Sequence, residues 1–198
     1  MAVIVNASTS SGLIQTADTS GTLVLQSNGT TQLTVSSTGT YGQLKQGTAQ
    51  ASTSGTSIDF TSIPSWVKRI TVMFSGMSGS GTSAFLVQLG TASGVVSTGY
   101  TATGNGFNQA SGTFGTSSTA GFCIYNRAAT DAFSGSMSIM NISSTNWIAS
   151  FSGKSLNTVC HAGGGDVALG GTLDRIRITF ANGTDTFDAG SINILYEG

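Results

Sequence analysis

Along most of the chain apolar and polar residues alternate with a period of two. In WVKRITVMFSG, Ile70, Val72 and Phe74 fall on one face and Arg69, Thr71 and Met73 on the other. LDRIRITF sets Ile176, Ile178 and Phe180 against Arg175, Arg177 and Thr179, and SINILYEG aligns Ile192, Ile194 and Tyr196. SIDFTSI, FLVQLG, GFCIYN, SGSMSIMNIS and NWIASFSG are further runs that end at Gly, Ser or Asn. Successive side chains of a strand point to opposite faces, so this period is the mark of half-buried strands. Residues 57–198 therefore predict an antiparallel β-sandwich of jelly-roll-like kind. Asn182-Gly183 predicts a reversal that makes the last two runs a hairpin, with Asp174, Asp185 and Asp188 placed to pair with Arg175 or Arg177.

The first 44 residues have their own pattern. TLVLQSNGTTQLTVSS sets Asn28-Gly29 between two alternating runs, with Leu23 and Leu25 on one face of the first and Leu33 and Val35 on one face of the second, which predicts a β-hairpin. Ahead of it AVIVNAS aligns Val3 and Val5. So few apolar side chains do not offset the ordering entropy of such a segment, so the unit needs a partner surface, and these six residues are its candidate contacts. Residues 45–56 are polar and without period, which predicts a linker between the N-terminal β unit, 1–44, and the sandwich, 57–198.

Composition narrows the function. Only 8% of residues are charged, against about 25% in typical soluble domains. Solubility rests instead on Ser and Thr, roughly three residues in ten, and the 28 glycines add turns. The all-β class follows, because Gly, Ser and Thr disfavour helix. Seven basic residues cannot build a phosphate-binding stripe, so nucleic acid is not an expected partner. Low charge also removes the repulsion that opposes self-association. MAVIVNASTSSG lacks the basic and apolar regions of a secretion signal, and no run approaches a membrane span; folding in a cytoplasm, with Cys123 and Cys160 as free, buried thiols, is the expectation.

Candidate chemistry is concentrated in VCHAGGGDVALGG, which brings Cys160, His161 and Asp166 close to a triple glycine. On a strand Cys160 and His161 would point to opposite faces and could not act as nucleophile and base. The glycines predict a surface loop with a buried cysteine beside it, His161 being available to a neighbouring subunit or a receptor. A glycosidase needs two carboxylates facing across a cleft, and the acidic residues read better as hairpin pairs. For stacking on a sugar the aromatic candidates are Trp66, Tyr100, Tyr125 and Trp147, with Trp147 beside the polar turn of SSTNWIAS foremost. No catalytic residue, metal site or cofactor is expected.

TADTSGTLVLQSNGTTQLTVSSTG resembles a short module near the N-termini of tailed-bacteriophage structural proteins. SGTSIDFTSIPSWVKRITVMFSGMSGSGTSAFLVQLG resembles the opening of a phage tail-fibre-like domain, and LDRIRITFANGTDTFDAGSINILYEG its C-terminus. The resemblance implies a virion appendage, mostly β and trimeric, assembled in the host bacterial cytoplasm. Residues Val3, Val5, Leu23, Leu25, Leu33 and Val35 then become candidates for particle attachment, and Trp147, His161 and Tyr125 for receptor contact. The expected partners are two further copies of the chain, other tail or capsid proteins, and a host-surface glycan, without membrane insertion. A short tail fibre is the leading expectation, a capsid decoration or head-fibre protein the alternative; a polysaccharide-degrading enzyme fits less well.

Overall fold

The computed structural model describes residues 23–27, 30–35, 44–108, 110, 112–156 and 158–198, which fall in two compact units, Met1–Gly42 and Gln43–Gly198. In the first unit β1 (Leu23–Ser27) pairs antiparallel with β2 (Thr30–Val35), Leu23 opposite Val35 and Leu25 opposite Leu33. That is the pairing the alternation predicts. Asn28, Gly29, Val3 and Val5 lie outside the described residues.

The second unit is an antiparallel β-sandwich whose chain passes back and forth between a nine-stranded and a five-stranded sheet. It begins on the larger sheet with β3 (Leu44–Gln46) and β4 (Gln50–Ala51), crosses to the smaller with β5 (Ser57–Phe60), returns with β6 (Arg69–Gly79), and crosses again with β7 (Phe85–Thr91) and β8 (Gly94–Val95). The larger sheet then receives β9 (Thr101–Asn108) and β10 (Gly112–Ser118), the smaller β11 (Phe122–Ile124). Next come β12 (Phe133–Ser143), β13 (Asn146–Ser155) and β14 (Val159–Ala168) on the larger sheet, β15 (Arg175–Phe180) on the smaller, and β16 (Phe187–Glu197) on the larger. The larger sheet is ordered β10, β9, β14, β13, β12, β6, β16, β3, with β4 also on β16; the smaller is ordered β11, β7, β15, β5, with β8 on β7. No helix occurs among the described residues.

The predicted faces pack as their alternation requires. Ile70, Val72, Phe74, Met137, Ile139, Ile192, Ile194 and Tyr196 of the larger sheet share one core with Ile58, Phe60, Val87, Leu89, Ile176, Ile178 and Phe180 of the smaller. Phe187 joins them, its ring 4.6 Å from that of Phe180 and 6.4 Å from that of Phe85. Burying such side chains stabilises by about 1.5–3 kcal/mol each. Opposite Gly76, β16 bulges at Gly190, whose φ of +95° and contact with the Gly76 carbonyl leave no room for a side chain.

Three expectations are corrected. The segment 45–56 is not only a linker: β3 and β4 pair with β16, and the buried Ser52 donates its hydroxyl to the Ala189 carbonyl at 2.8 Å. Edge strands this short need few apolar residues, so they leave little periodic signal. β15 and β16 are not a hairpin either, since Asn182 and Gly183 turn the chain from one sheet to the other. Arg177 pairs instead with Asp59 on β5 through two bonds of 2.7 Å, Asp185 holds its own loop through Ser83 N–H and Asn182, and Asp188 bonds Ser78. Arg175 does meet an expected partner, but its immediate neighbour Asp174, at 2.8 Å.

The third correction concerns VCHAGGGDVALGG, whose first ten residues are β14, paired on both sides by β13 and β9. Its glycines are packing devices. A methyl carbon added at Gly163 would lie under 3 Å from the Thr103 carbonyl oxygen and 2.7 Å from Phe151 Cζ; at Gly104 it would run into the Cys123 carbonyl. Bare backbone on β9 and β14 lets the Phe151 ring lie close against Gly163 and lets β11 approach the sheet at Gly104.

Candidate functional site

The proposed receptor residues separate once the alternation is resolved in space. Trp147 lies on the inward face of β13 with Ala149 and Phe151 and is only 3% exposed, so it cannot stack on an external sugar. His161 is inward on β14, also 3% exposed, and is no loop residue. Cys160, its outward neighbour, is the exposed thiol, whereas Cys123 is buried; both are free. Asp166 pairs outward with Ile148 and Thr101, away from His161's face.

Tyr125 remains at the surface. It follows β11, is half-buried, and its ring lies 4.9 Å from that of Phe114 on the edge strand β10. The Arg127 guanidinium stands 6.0 Å from the Phe114 centroid, within cation–π range. Two aromatic rings and a cation thus form one surface patch. Neither Phe114 nor Arg127 was expected in it, because the patch joins β10 to the connection after β11 and has no local sequence signature.

That connection, residues 125–132, is fixed from beneath. Asn126 donates its amide to the Gly81 and Ser83 carbonyls, and Asp131 N–H closes a turn onto the Ala128 carbonyl. Asp131 is 2% exposed and 3.6 Å from Arg127 Nε. Below it, Ser155 Oγ is 2.8 Å from His161 Nε2, and the imidazole meets the Phe133 ring edge-on at 5.5 Å. Burial holds the imidazole below the ordinary histidine pKa; Asp131 pulls it up and Arg127 pushes it down.

Ser155, His161 and Asp131 are the residue types of a hydrolase triad, with the correct ring nitrogen turned to the serine. All three are at most 3% exposed, so an acyl group cannot reach the hydroxyl in this conformation. Ser155 and His161 are bonded to each other, but neither Asp131 oxygen nor His161 Nδ1 has a hydrogen-bond partner, so the three are not linked as a relay. Among the described residues, no group of three or more His, Cys, Asp or Glu is placed to hold a metal ion.

A second feature is the outward face of the larger sheet. One cross-strand row runs Ser117, Thr103, Gly164, Ser150, Ser138, Thr71, Leu195, Gln46. The next runs Gly115, Asn105, Ala162, Ser152, Ser136, Met73, Asn193. Both rows are exposed or half-buried and carry no charge. The charges of this face stand outside the two rows, at Asp166, Arg69 and Glu197 on one side, at Lys154 on the other, and at Asp188 near the start of β16.

Compared with family models, curated proteins and solved structures, the chain has no match in any of the three.

Proposed function

We propose that the chain is a phage virion appendage of short tail-fibre type, attached to the particle through its N-terminal hairpin and presenting the sandwich, as a trimer, to the host surface. The observation that carries this reading is the pair of charge-free rows across the whole larger sheet. A face this broad, made mostly of short neutral side chains, lets neighbouring copies pack around a threefold axis, one part of the face against another, without desolvating any charge. Low total charge makes the same point for the entire surface.

The segments that resemble a tail-fibre-like domain also fit one another. β5, β6 and β7 come from its opening and β15 and β16 from its close; β15 inserts between β5 and β7, and β16 lies beside β6. Two stretches separated by some eighty residues of chain thus supply three of the four main strands of the smaller sheet and two neighbouring strands of the larger. We read the strands β3/β4, β16, β6, β12 over β5, β15, β7, β11 as a jelly roll, extended at one side by β13, β14, β9 and β10. For host contact our candidate is the patch of Tyr125, Phe114 and Arg127, since rings stack on sugar faces and a guanidinium pairs with their acidic substituents.

Light scattering on the full chain tests the trimer: three times 19.9 kDa is expected, and a clean monomer overturns it. Ser136→Lys puts a charge in the neutral face at an exposed position and should dissociate the assembly while leaving the folded β signal intact. Quantitative gels of purified virions separate the fibre from a capsid decoration protein, because a decoration protein occupies a lattice and outnumbers a fibre many times over.

A further inference from the structure

The single histidine packs edge-on against Phe133, two residues after Asp131, a carboxylate whose compensation is incomplete. Neither oxygen of the buried Asp131 accepts a hydrogen bond, and its ion partner, Arg127, keeps its Nε at 3.6 Å with its side chain 35% exposed. His161 is held at Nε2 by Ser155, while Nδ1 is buried without a partner. The charged groups that act on the ring, Asp131 and Arg127, both belong to the connection after β11. β12 presents Phe133; β13 presents Ser155 and the backbone of Gly153; β9 presents Gly106. Lys154 and Cys160 pair on the opposite face of the sheet.

We propose that Asp131 alternates between Arg127 and His161. When the imidazole takes up a proton, the carboxylate turns from the half-exposed guanidinium to the buried ring, and Arg127 is freed beside Phe114 and Tyr125 to pair with an acidic ligand. The attraction between two buried opposite charges exceeds that of a pair screened by solvent, which sets the direction of the exchange. Asp131 sits on a tight turn, so the carboxylate reorients by side-chain rotation and the strands stay in place. The inference rests on reading the patch as the host contact, and it adds proton control of that contact.

Nuclear magnetic resonance on the full chain labelled with ¹⁵N-histidine and ¹⁵N-arginine tests the exchange without any ligand. As the pH is lowered from about 7.5, the single imidazole and the Arg127 Nε–H should titrate with one midpoint, below that of an ordinary histidine. In Asp131→Asn the imidazole midpoint should fall by about one pH unit and the Arg127 signal should cease to respond. In Arg127→Gln, a change at a half-exposed site that spares the core, the midpoint should rise. An Arg127 signal that still titrates in His161→Gln, or an imidazole midpoint indifferent to both loop variants, overturns the proposal. Binding of an oligogalacturonate, the acidic probe, should be about three- to fivefold tighter at pH 5.5 than at 7.5 in the parent and pH-independent in His161→Gln. An intact exchange with no oligogalacturonate binding at either pH overturns the reading of the patch while the proton-driven exchange stands.

Discussion

If the triple glycine is a packing device, two glycines of the same stretch should respond in opposite ways to one methyl group. Gly163→Ala would push a carbon against the Thr103 carbonyl and the Phe151 ring at once. Neither can yield: Thr103 is in the β9 ladder, and Phe151 is 6% exposed and packs near Phe133, its ring 6.4 Å away. Overpacking costs about 1–3 kcal/mol, and a clash that engages backbone and ring together belongs at the upper end, about 3 kcal/mol. For a chain this long that lowers Tm by about 6–12 °C. Gly170 has nothing within 4 Å of the same added carbon, so Gly170→Ala should be neutral or, by restricting the unfolded chain, up to about 1 kcal/mol more stable. Urea unfolding followed by tryptophan fluorescence checks both, with the midpoint read at an unchanged slope. Equal midpoints for the two variants would refute the packing argument and return Gly163 to a tolerant loop.

Three further outcomes follow from the same geometry. Folded His161 holds its proton less readily than a free histidine, so the unfolded chain binds more protons below about pH 6.5; stability should be complete above that pH and decline as the pH falls through the folded value, with a flatter profile in His161→Gln when urea midpoints are compared at pH 7.5, 6.5 and 5.5. Asp59→Asn removes a bidentate partner of Arg177, but both side chains are over a third exposed, so the loss should not exceed about 1 kcal/mol and should shrink in 1 M salt; a larger, salt-insensitive loss would contradict the screening argument. A thiol reagent should titrate Cys160 alone in the native protein and Cys123 only on unfolding, because burial also pushes the Cys123 thiol pKa up; two fast thiols would contradict the packing of β11.

The strands legible in the sequence are those whose inward positions are filled by their own side chains. β6 supplies Ile70, Val72 and Phe74, β15 Ile176, Ile178 and Phe180, and in both the alternation is explicit. In β9 the inward positions are Ala102, Gly104, Gly106 and Asn108, and in β14 they include His161, Gly163 and Gly165. Space at Gly104 is taken by the Cys123 carbonyl, at Gly106 by the Phe114 ring, at Gly163 by Phe151 and at Gly165 by the β9 backbone, so these four positions must be small, and a run of glycines reads as a turn. Register shows the same division. Asn182-Gly183 does mark a reversal, with Gly183 at φ +69°, yet it does not determine which sheet the next strand joins. Pairing of that kind is set by contacts distant in sequence.

For the site the sequence misled in a different way. Its polar neighbours in SSTNWIAS suggested an exposed Trp147, but the next residues of the same run, Ala149 and Phe151 inward with Ile148 and Ser150 outward, place the indole on the core face. His161 looked available because the chain around it looked like a loop; as a strand residue between the outward Cys160 and Ala162 it must point inward. Ser155, its hydrogen-bond partner across a turn, and Asp131, whose charge acts on it from thirty residues earlier, are brought to it through the order β12, β13, β14. Tyr125 kept its place at the surface because it lies beyond the end of β11, where the alternation no longer applies. The same loop that leaves Tyr125 at the surface carries Arg127 outward and Asp131 inward, four positions apart on one segment. On the proposed exchange, a proton taken up beneath the loop alters the charge presented above it without any strand changing register.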